Sequence, residues 1–293
     1  MSLAEPGNSQ TRSGAWRSGT RRPPLAAVLP LQRAVGRIEA RFARRDGGTH
    51  LETLHQSGSA KLRMPKRYDG IAEAILINTA GGLTGGDRFG VRLYAQAGTE
   101  VVVTTQASEK AYRSLSGSAE VETAITVDGG ARFDWLPQET IVYDRAGLKR
   151  RYEVDLADSA VFLGVESVVF GRGAMGETVR SGTFHDRWRI RRDHRLIFAD
   201  DIRFDGAIAE LTARSAALDG ATAMATLIYC ADDGERLIDP LREAVGDAGG
   251  ASWFGGKLIA RLVAADGFAL RRRLVPAFAV LRQGKGLPRI WQQ

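Results

Sequence analysis

Between Leu31 and Tyr229 apolar and polar residues alternate in short runs, punctuated by Gly and Asp. The segments Glu100-Val-Val-Val-Thr-Thr, Glu120-Val-Glu-Thr-Ala-Ile-Thr-Val, Thr140-Ile-Val-Tyr, Val161-Phe-Leu-Gly-Val-Glu-Ser-Val-Val-Phe and Trp188-Arg-Ile-Arg-Arg have the two-residue period and β-branched content of strands. Gly47-Gly48, Ala97-Gly98, Asp128-Gly129-Gly130 and Asp205-Gly206 mark the turns, because glycine adopts positive φ without a Cβ clash. This pattern predicts a mainly antiparallel β protein. It shows no fixed-period repeat of the kind that marks a solenoid, and no linker that would divide the chain. Helical spacing enters late. Asp232 to Val245 sets Leu237, Leu241 and Val245 on one face with Gly246 as a stop. Leu270 to Gln283 does the same with Leu274, Phe278 and Leu281, with Pro276 placed to start or kink the helix. Thr105 to Leu115, rich in good helix formers, is a third candidate.

The expected architecture is therefore one large, mainly β domain over 25–293, sandwich-like, with about two helices near its C-terminal third. Residues 1–24, rich in Ser, Gly, Arg and Pro, read as a disordered basic tail. Arg21-Arg22 superficially resembles an export signal, but two prolines follow at once and Pro30 and Arg33 break the apolar run. No window approaches the ~20 apolar residues of a spanning helix. A single cysteine, Cys230, set among apolar neighbours, reads as an inert core thiol; it fits a reducing cytoplasm and excludes a Cys-cluster metal site. The formal charge of +7 favours acidic partners, nucleic acid or an acidic protein. The basic clusters Lys149-Arg150-Arg151, Arg189 to Arg195 and Arg271-Arg272-Arg273 lie close to Asp or Glu, as on a solvated surface.

Three chemistries deserve weighing. The glycine cluster Asn78-Thr-Ala-Gly-Gly-Leu-Thr-Gly-Gly-Asp87 could cradle a phosphate, making the chain a nucleotide-binding enzyme built on residues 81–86. A phosphate loop, however, needs Lys then Ser or Thr where Asp87 and Arg88 stand, so a tight crossing braced by Asp87 and Asn78 is the simpler reading. The histidines, His50, His55, His185 and His194, form no helical metal pair, and His50 and His55 in one strand are expected on opposite faces. No Gly-x-Ser-x-Gly elbow occurs. What remains is a set of carboxylates in distinctive frames: Asp87, Glu109 beside Lys110, Glu139 in Trp135-Leu-Pro-Gln-Glu139, Glu166, and Glu177 in Gly171-Arg-Gly-Ala-Met-Gly-Glu177. Structural ion pairs and a weak path for a divalent cation are both open readings of them.

These segments, with Thr104-Thr-Gln-Ala-Ser-Glu-Lys-Ala-Tyr-Arg-Ser114 and Leu287-Pro-Arg-Ile-Trp291, occur in an order and spacing that resembles the UreD (also called UreH) family of urease accessory proteins, across residues 31–291. The resemblance implies a β-rich helicoid fold with two helices and no catalytic activity. It implies a chaperone-like scaffold for nickel insertion, bound to a UreF-like helical protein that holds a UreG-like GTPase, the whole docking on apo-urease. Nickel would be a transient passenger in an internal passage, with no cofactor tightly held. Asp87, Glu139 and Glu177 lie inside the matched motifs and are candidate passage or structural carboxylates; Glu166 joins them on its position alone. The two late helices are expected either to dock the helical partner or to cover the sheet.

Overall fold

A computed structural model describes residues 32–292 of the chain. The anticipated basic tail over 1–24 lies outside the described residues. Seventeen strands dominate. In chain order they are β1 (Val35–Arg45), β2 (Gly48–Gly58), β3 (Ala60–Arg63), β4 (Ala72–Asn78), β5 (Arg88–Ala95), β6 (Glu100–Thr105), β7 (Glu109–Ala111), β8 (Ala119–Val127) and β9 (Arg132–Trp135). They continue as β10 (Thr140–Val142), β11 (Gly147–Leu156), β12 (Val161–Phe170), β13 (Gly182–Arg192), β14 (Arg195–Gly206), β15 (Ala223–Cys230), β16 (Gly249–Phe254) and β17 (Lys257–Ala264). Three α-helices are present among the described residues: the short α1 (Ile208–Thr212), α2 (Ile238–Val245) and α3 (Gly267–Arg282).

The strands form two sheets. The first has seven strands in the order β14-β13-β11-β8-β5-β1-β2, and the second runs β16-β17-β15-β12-β9-β6-β4-β3, with β10 and β7 branching from β12. The expected antiparallel arrangement holds only at the margins. In the first sheet β1, β5, β8, β11 and β13 pair in parallel, as β4, β6, β9 and β12 do in the second. The reason is that the chain passes from one sheet to the other between successive strands, so it returns to each sheet in the same direction. Ala72 pairs with Val101, Glu100 with Arg132 and Arg132 with Val161, so each coil takes roughly thirty residues, within the range of solenoid repeats. The fold is thus β-rich and helicoid, closed by antiparallel β2 and β14 on one sheet and by β15, β17 and β16 on the other.

Burial follows from this layering. On β11 the pattern alternates strictly, with Leu148, Arg150, Tyr152, Val154 and Leu156 inward and polar residues outward, and this face builds the core between the sheets. At its centre the second sheet is covered on both faces, so β15 is buried along its whole length and carries no alternation. Its far face supports α2 and α3, whose apolar residues Leu241, Val245, Leu270, Leu274, Phe278 and Leu281 form a second core with Leu163, Leu227 and Leu258. Both late helices therefore cover the sheet with their apolar stripes. The first turn of the α2 segment is a 3₁₀ turn at Gly234–Leu237. Helix α3 starts earlier than expected, at Gly267, because the Asp266 side chain accepts a hydrogen bond from the Ala269 N–H at 2.7 Å; Pro276 lies inside it and neither starts nor ends it.

Two local expectations fail. Thr105 to Leu115 is not helical: β7 pairs in parallel with β10, and the Glu109 N–H donates to the Glu139 carbonyl at 3.1 Å. Strand pairing across the coil overrides the helix propensity of the residues. His50 and His55 share a face, since a bulge opposite Arg41 and Phe42 lets β2 absorb one extra residue and they stand opposite Ala43 and Glu39, four apart on β1.

Candidate functional site

The glycine segment after β4 is consumed by its own backbone. Leu83 N–H donates to the Lys110 carbonyl at 2.7 Å and Gly86 N–H to Ser118 at 3.0 Å, while the buried Asp87 carboxylate accepts from Ala34 N–H and Thr84 N–H, both at 2.8 Å. Asn78 closes the other end, accepting from Ala80 N–H at 3.1 Å. A Cβ on Gly85 would stand 1.9 Å from Ser114 Oγ and 2.3 Å from the Ser116 carbonyl. Glycine is needed there for close approach of two loops, and the Ala80, Gly81, Leu83, Thr84, Gly86 and Asp87 N–H groups are already engaged within the protein.

What the turn borders is a cavity of about 180 Å³ between the two sheets. The first sheet contributes Phe89, Val91, Thr123, Leu148 and Arg150 to its wall; the second contributes Leu76, Asn78, Trp135, Gln138, Thr140 and Glu166. It reaches the surface at Gln106 and Ala107, which are exposed. Glu109 stands near this mouth, its Oε2 accepting from Asn78 Nδ2 at 3.2 Å. Burial pushes the Glu109 carboxyl above its usual range, opposed by the Asn78 hydrogen bond, the Lys110 N–H and the charge of Arg150.

At the inner end lies a buried ionic cluster. Arg150 on β11 sits 2.6 Å from Glu166 Oε2 on β12 and 2.8 Å from Asp186 Oδ2 on β13, and donates to Thr140 Oγ1 at 2.8 Å. Trp135 Nε1 donates to Glu166 Oε1 at 3.0 Å. Tyr152 and Phe184 rings flank the guanidinium at 5.8 Å and 5.4 Å. Two carboxylates thus share one cation in an apolar setting. Desolvation drives the Asp186 carboxyl up to about 7, Arg150 pulls it back and Glu166 pushes it further. Among the described residues, no group of three or more His, Cys, Asp and Glu side chains is placed to hold a metal ion.

A sequence model described as the UreD urease accessory protein matches residues 34–292. The chain belongs to that family. Among its relatives, the urease accessory protein UreD of Rhizobium etli is 52% identical over 268 residues, covering 91% of this chain and 98% of the relative. That of Mesorhizobium japonicum is 49% identical, with 92% and 96% covered, and that of Agrobacterium fabrum 48%, with 89% and 92% covered. The glycine segment, the Trp135–Glu139 segment and the C-terminal Leu287–Trp291 segment all lie within the matched residues. Around the cavity these come together: Trp291 Nε1 donates to the Leu136 carbonyl at 2.9 Å, and Arg271 Nη1 to Gln138 Oε1 at 2.7 Å.

The four candidate carboxylates divide. Glu166 lines the cavity, and Glu139 stands just beside it, accepting at 2.7 Å from Ser108, a lining residue. Asp87 is occupied by backbone N–H groups, and Glu177 pairs with Arg172 at 2.6 Å, away from the cavity. The sequence placed Arg150 in a solvated basic cluster, whereas it is buried, and Asp186 was passed over. Both were marked by phase: Arg150 alternates with Leu148 and Tyr152, and Asp186 with Phe184 and Trp188, so each charge falls on an inward position. On the outer face several basic residues are paired, Arg191 with Glu153 at 2.7 Å, Arg189 with Asp201 at 2.5 Å and Arg203 with Asp205 at 2.8 Å. These carboxylates interrupt the positive surface that a nucleic acid would track. No helix is long and apolar enough to cross a membrane among the described residues.

Proposed function

We propose that this chain is a non-catalytic scaffold in the cytoplasmic maturation of urease, holding a UreF-like protein, a UreG-like GTPase and apo-urease together while nickel passes through it as cargo. The observation that carries the reading is the cavity between the sheets, with Glu109 near its mouth, Glu139 beside it and Glu166 at its inner end. Hard carboxylate oxygens spaced along a wall attract a divalent cation. Membership of a urease accessory family supports the destination. Asp87 and Glu177 serve the frame in this reading, bracing the glycine turn and the loop after β12.

The test is activation of apo-urease in cells producing the full accessory set. Glu166→Gln and Glu139→Gln are expected to lower activation by about tenfold or more while the complex still co-purifies, since each removes a charge worth several kcal/mol to a dication in a low-dielectric wall. Glu177→Gln is expected to act through stability and to lower the yield of complex with activation per complex unchanged. Wild-type activation by Glu166→Gln would rule out the passage. Co-production with the helical partner is also expected to raise the soluble yield of this chain, which exposes Leu115, Met175 and Phe268 at 74%, 73% and 72%.

A further inference from the structure

Glu166 has no free oxygen. Its Oε1 accepts from Trp135 and its Oε2 faces the Arg150 guanidinium, so a cation arriving at the inner end of the cavity finds the carboxylate already engaged. A second carboxylate lies on the far side of Arg150. Asp186 is 97% buried, sits 2.8 Å from Arg150 Nη2 and is not part of the cavity wall. Two atoms of this second pair are buried and without a partner: Arg150 Nε and Asp186 Oδ1. The pair therefore has one spare donor and one spare acceptor.

From this geometry we propose that Arg150 is a resident counter-ion which an incoming divalent cation displaces from Glu166, and that Asp186 is the positioning residue that receives the displaced guanidinium. The proposal rests on the passage reading above and deepens it. Releasing a buried guanidinium from its only acid would leave an uncompensated charge, which costs several kcal/mol and would block the exchange. With Asp186 behind it, Arg150 turns from a shared contact into a two-bond fork, using the spare Nε and Oδ1, as Glu166 is freed. The cluster holds two carboxylates against one guanidinium, so it accepts a dication by passing from one excess negative charge to one excess positive charge. The groups facing Asp186 are Arg150 and Glu166 with, at longer range, Asp200, and the Tyr152 and Phe184 rings flank Arg150. A guanidinium that returns to Glu166 once the ion has moved on would expel it, which gives the passage a release step without any moving segment.

The experiment compares wild type, Asp186→Asn, the double variant Arg150→Gln/Asp186→Asn, and Glu166→Gln, each as the full chain co-produced with its accessory partners and apo-urease. Activation per assembled complex, nickel left on the purified accessory complex after desalting, and Tm are measured. Asp186→Asn is expected to lower activation about tenfold, because Arg150 is then fixed on Glu166. The double variant is expected to recover most of that loss and to retain more nickel than wild type, because nothing competes for Glu166. A merely structural triad would move Tm but would not produce recovery on removing a second member. Wild-type activation by Asp186→Asn, or a double variant no better than the single one, overturns the proposal. If Asp186→Asn does not accumulate as folded protein, nickel retention by the double variant decides, and retention at the wild-type level overturns it. Normal activation by Glu166→Gln instead removes the passage reading on which the proposal stands.

Discussion

Asp186 carries a pH dependence whose sign is fixed by its surroundings. Its carboxyl is raised from an ordinary 3.8 to about 7, so its contribution to folding is fully present below the unfolded value and is lost as pH rises through the folded one. Glu109 is shifted in the same direction by burial. The protein is expected to be less stable at pH 8 than at pH 5 by on the order of 1–2 kcal/mol from this cluster, and Asp186→Asn should flatten that difference in urea melts at the two pH values. Cys230, fully buried with its thiol pushed up to about 12, is expected to resist alkylation in the native protein at pH 8 and to react at once in urea. The fate of Cys230 was legible in its apolar neighbours. Arg150 and Asp186 were legible in principle, as charges on the inward phase of alternating strands. Glu166 stood out as a lone charge inside an apolar run, but β12 is buried on both faces and a strand without alternation gives no phase from which to read its direction.

At the scale of elements, the attachment of α3 depends on its last residue. Arg282 is wholly buried, ion-paired with Asp134 on β9, and donates to the Gly286 carbonyl at 2.8 Å and the Lys285 carbonyl at 3.1 Å. Arg132 braces the same carboxylate at 3.0 Å and the Leu281 carbonyl at 3.0 Å. Arg282→Ala would strand part of a buried charge and leave a void, and is expected to cost about 3–5 kcal/mol in chemical denaturation. Trp291→Ala, which empties a slot against Phe278 and frees the Leu136 carbonyl, should cost a comparable ~3–5 kcal/mol and loosen the wall at Gln138. The late helices were readable from apolar spacing, because one face of each packs on a sheet. The β16–β17 hairpin that separates them, Gly249 to Ala264, was missed although β17 alternates, with Leu258, Ala260 and Leu262 buried and Arg261 and Val263 exposed; the 105–115 segment was hidden by a pairing partner about thirty residues away.

For the whole molecule, the coil was legible as β structure and illegible as a repeat. The strands recur, but the connections between them differ in length, carrying a glycine turn in one coil and the Trp135–Glu139 segment in another, so no fixed period survives in the sequence. Most strands also pair with one a full coil away, so contacts are non-local and folding is expected to take milliseconds to seconds in stopped-flow refolding. The seven-stranded sheet ends in β2 and β14, and each border carries an extra residue, in β2 opposite Arg41 and Phe42 and in β14 opposite Ile190 and Arg191. Such an interruption breaks the even spacing of amide groups along a border, and charged residues, Glu52 and Arg195 close to the interruptions and Arg203 further along β14, are exposed on these strands. A stranger's strand finds no continuous ladder to extend, so the architecture that stacks its own coils so readily refuses to go on stacking beyond them.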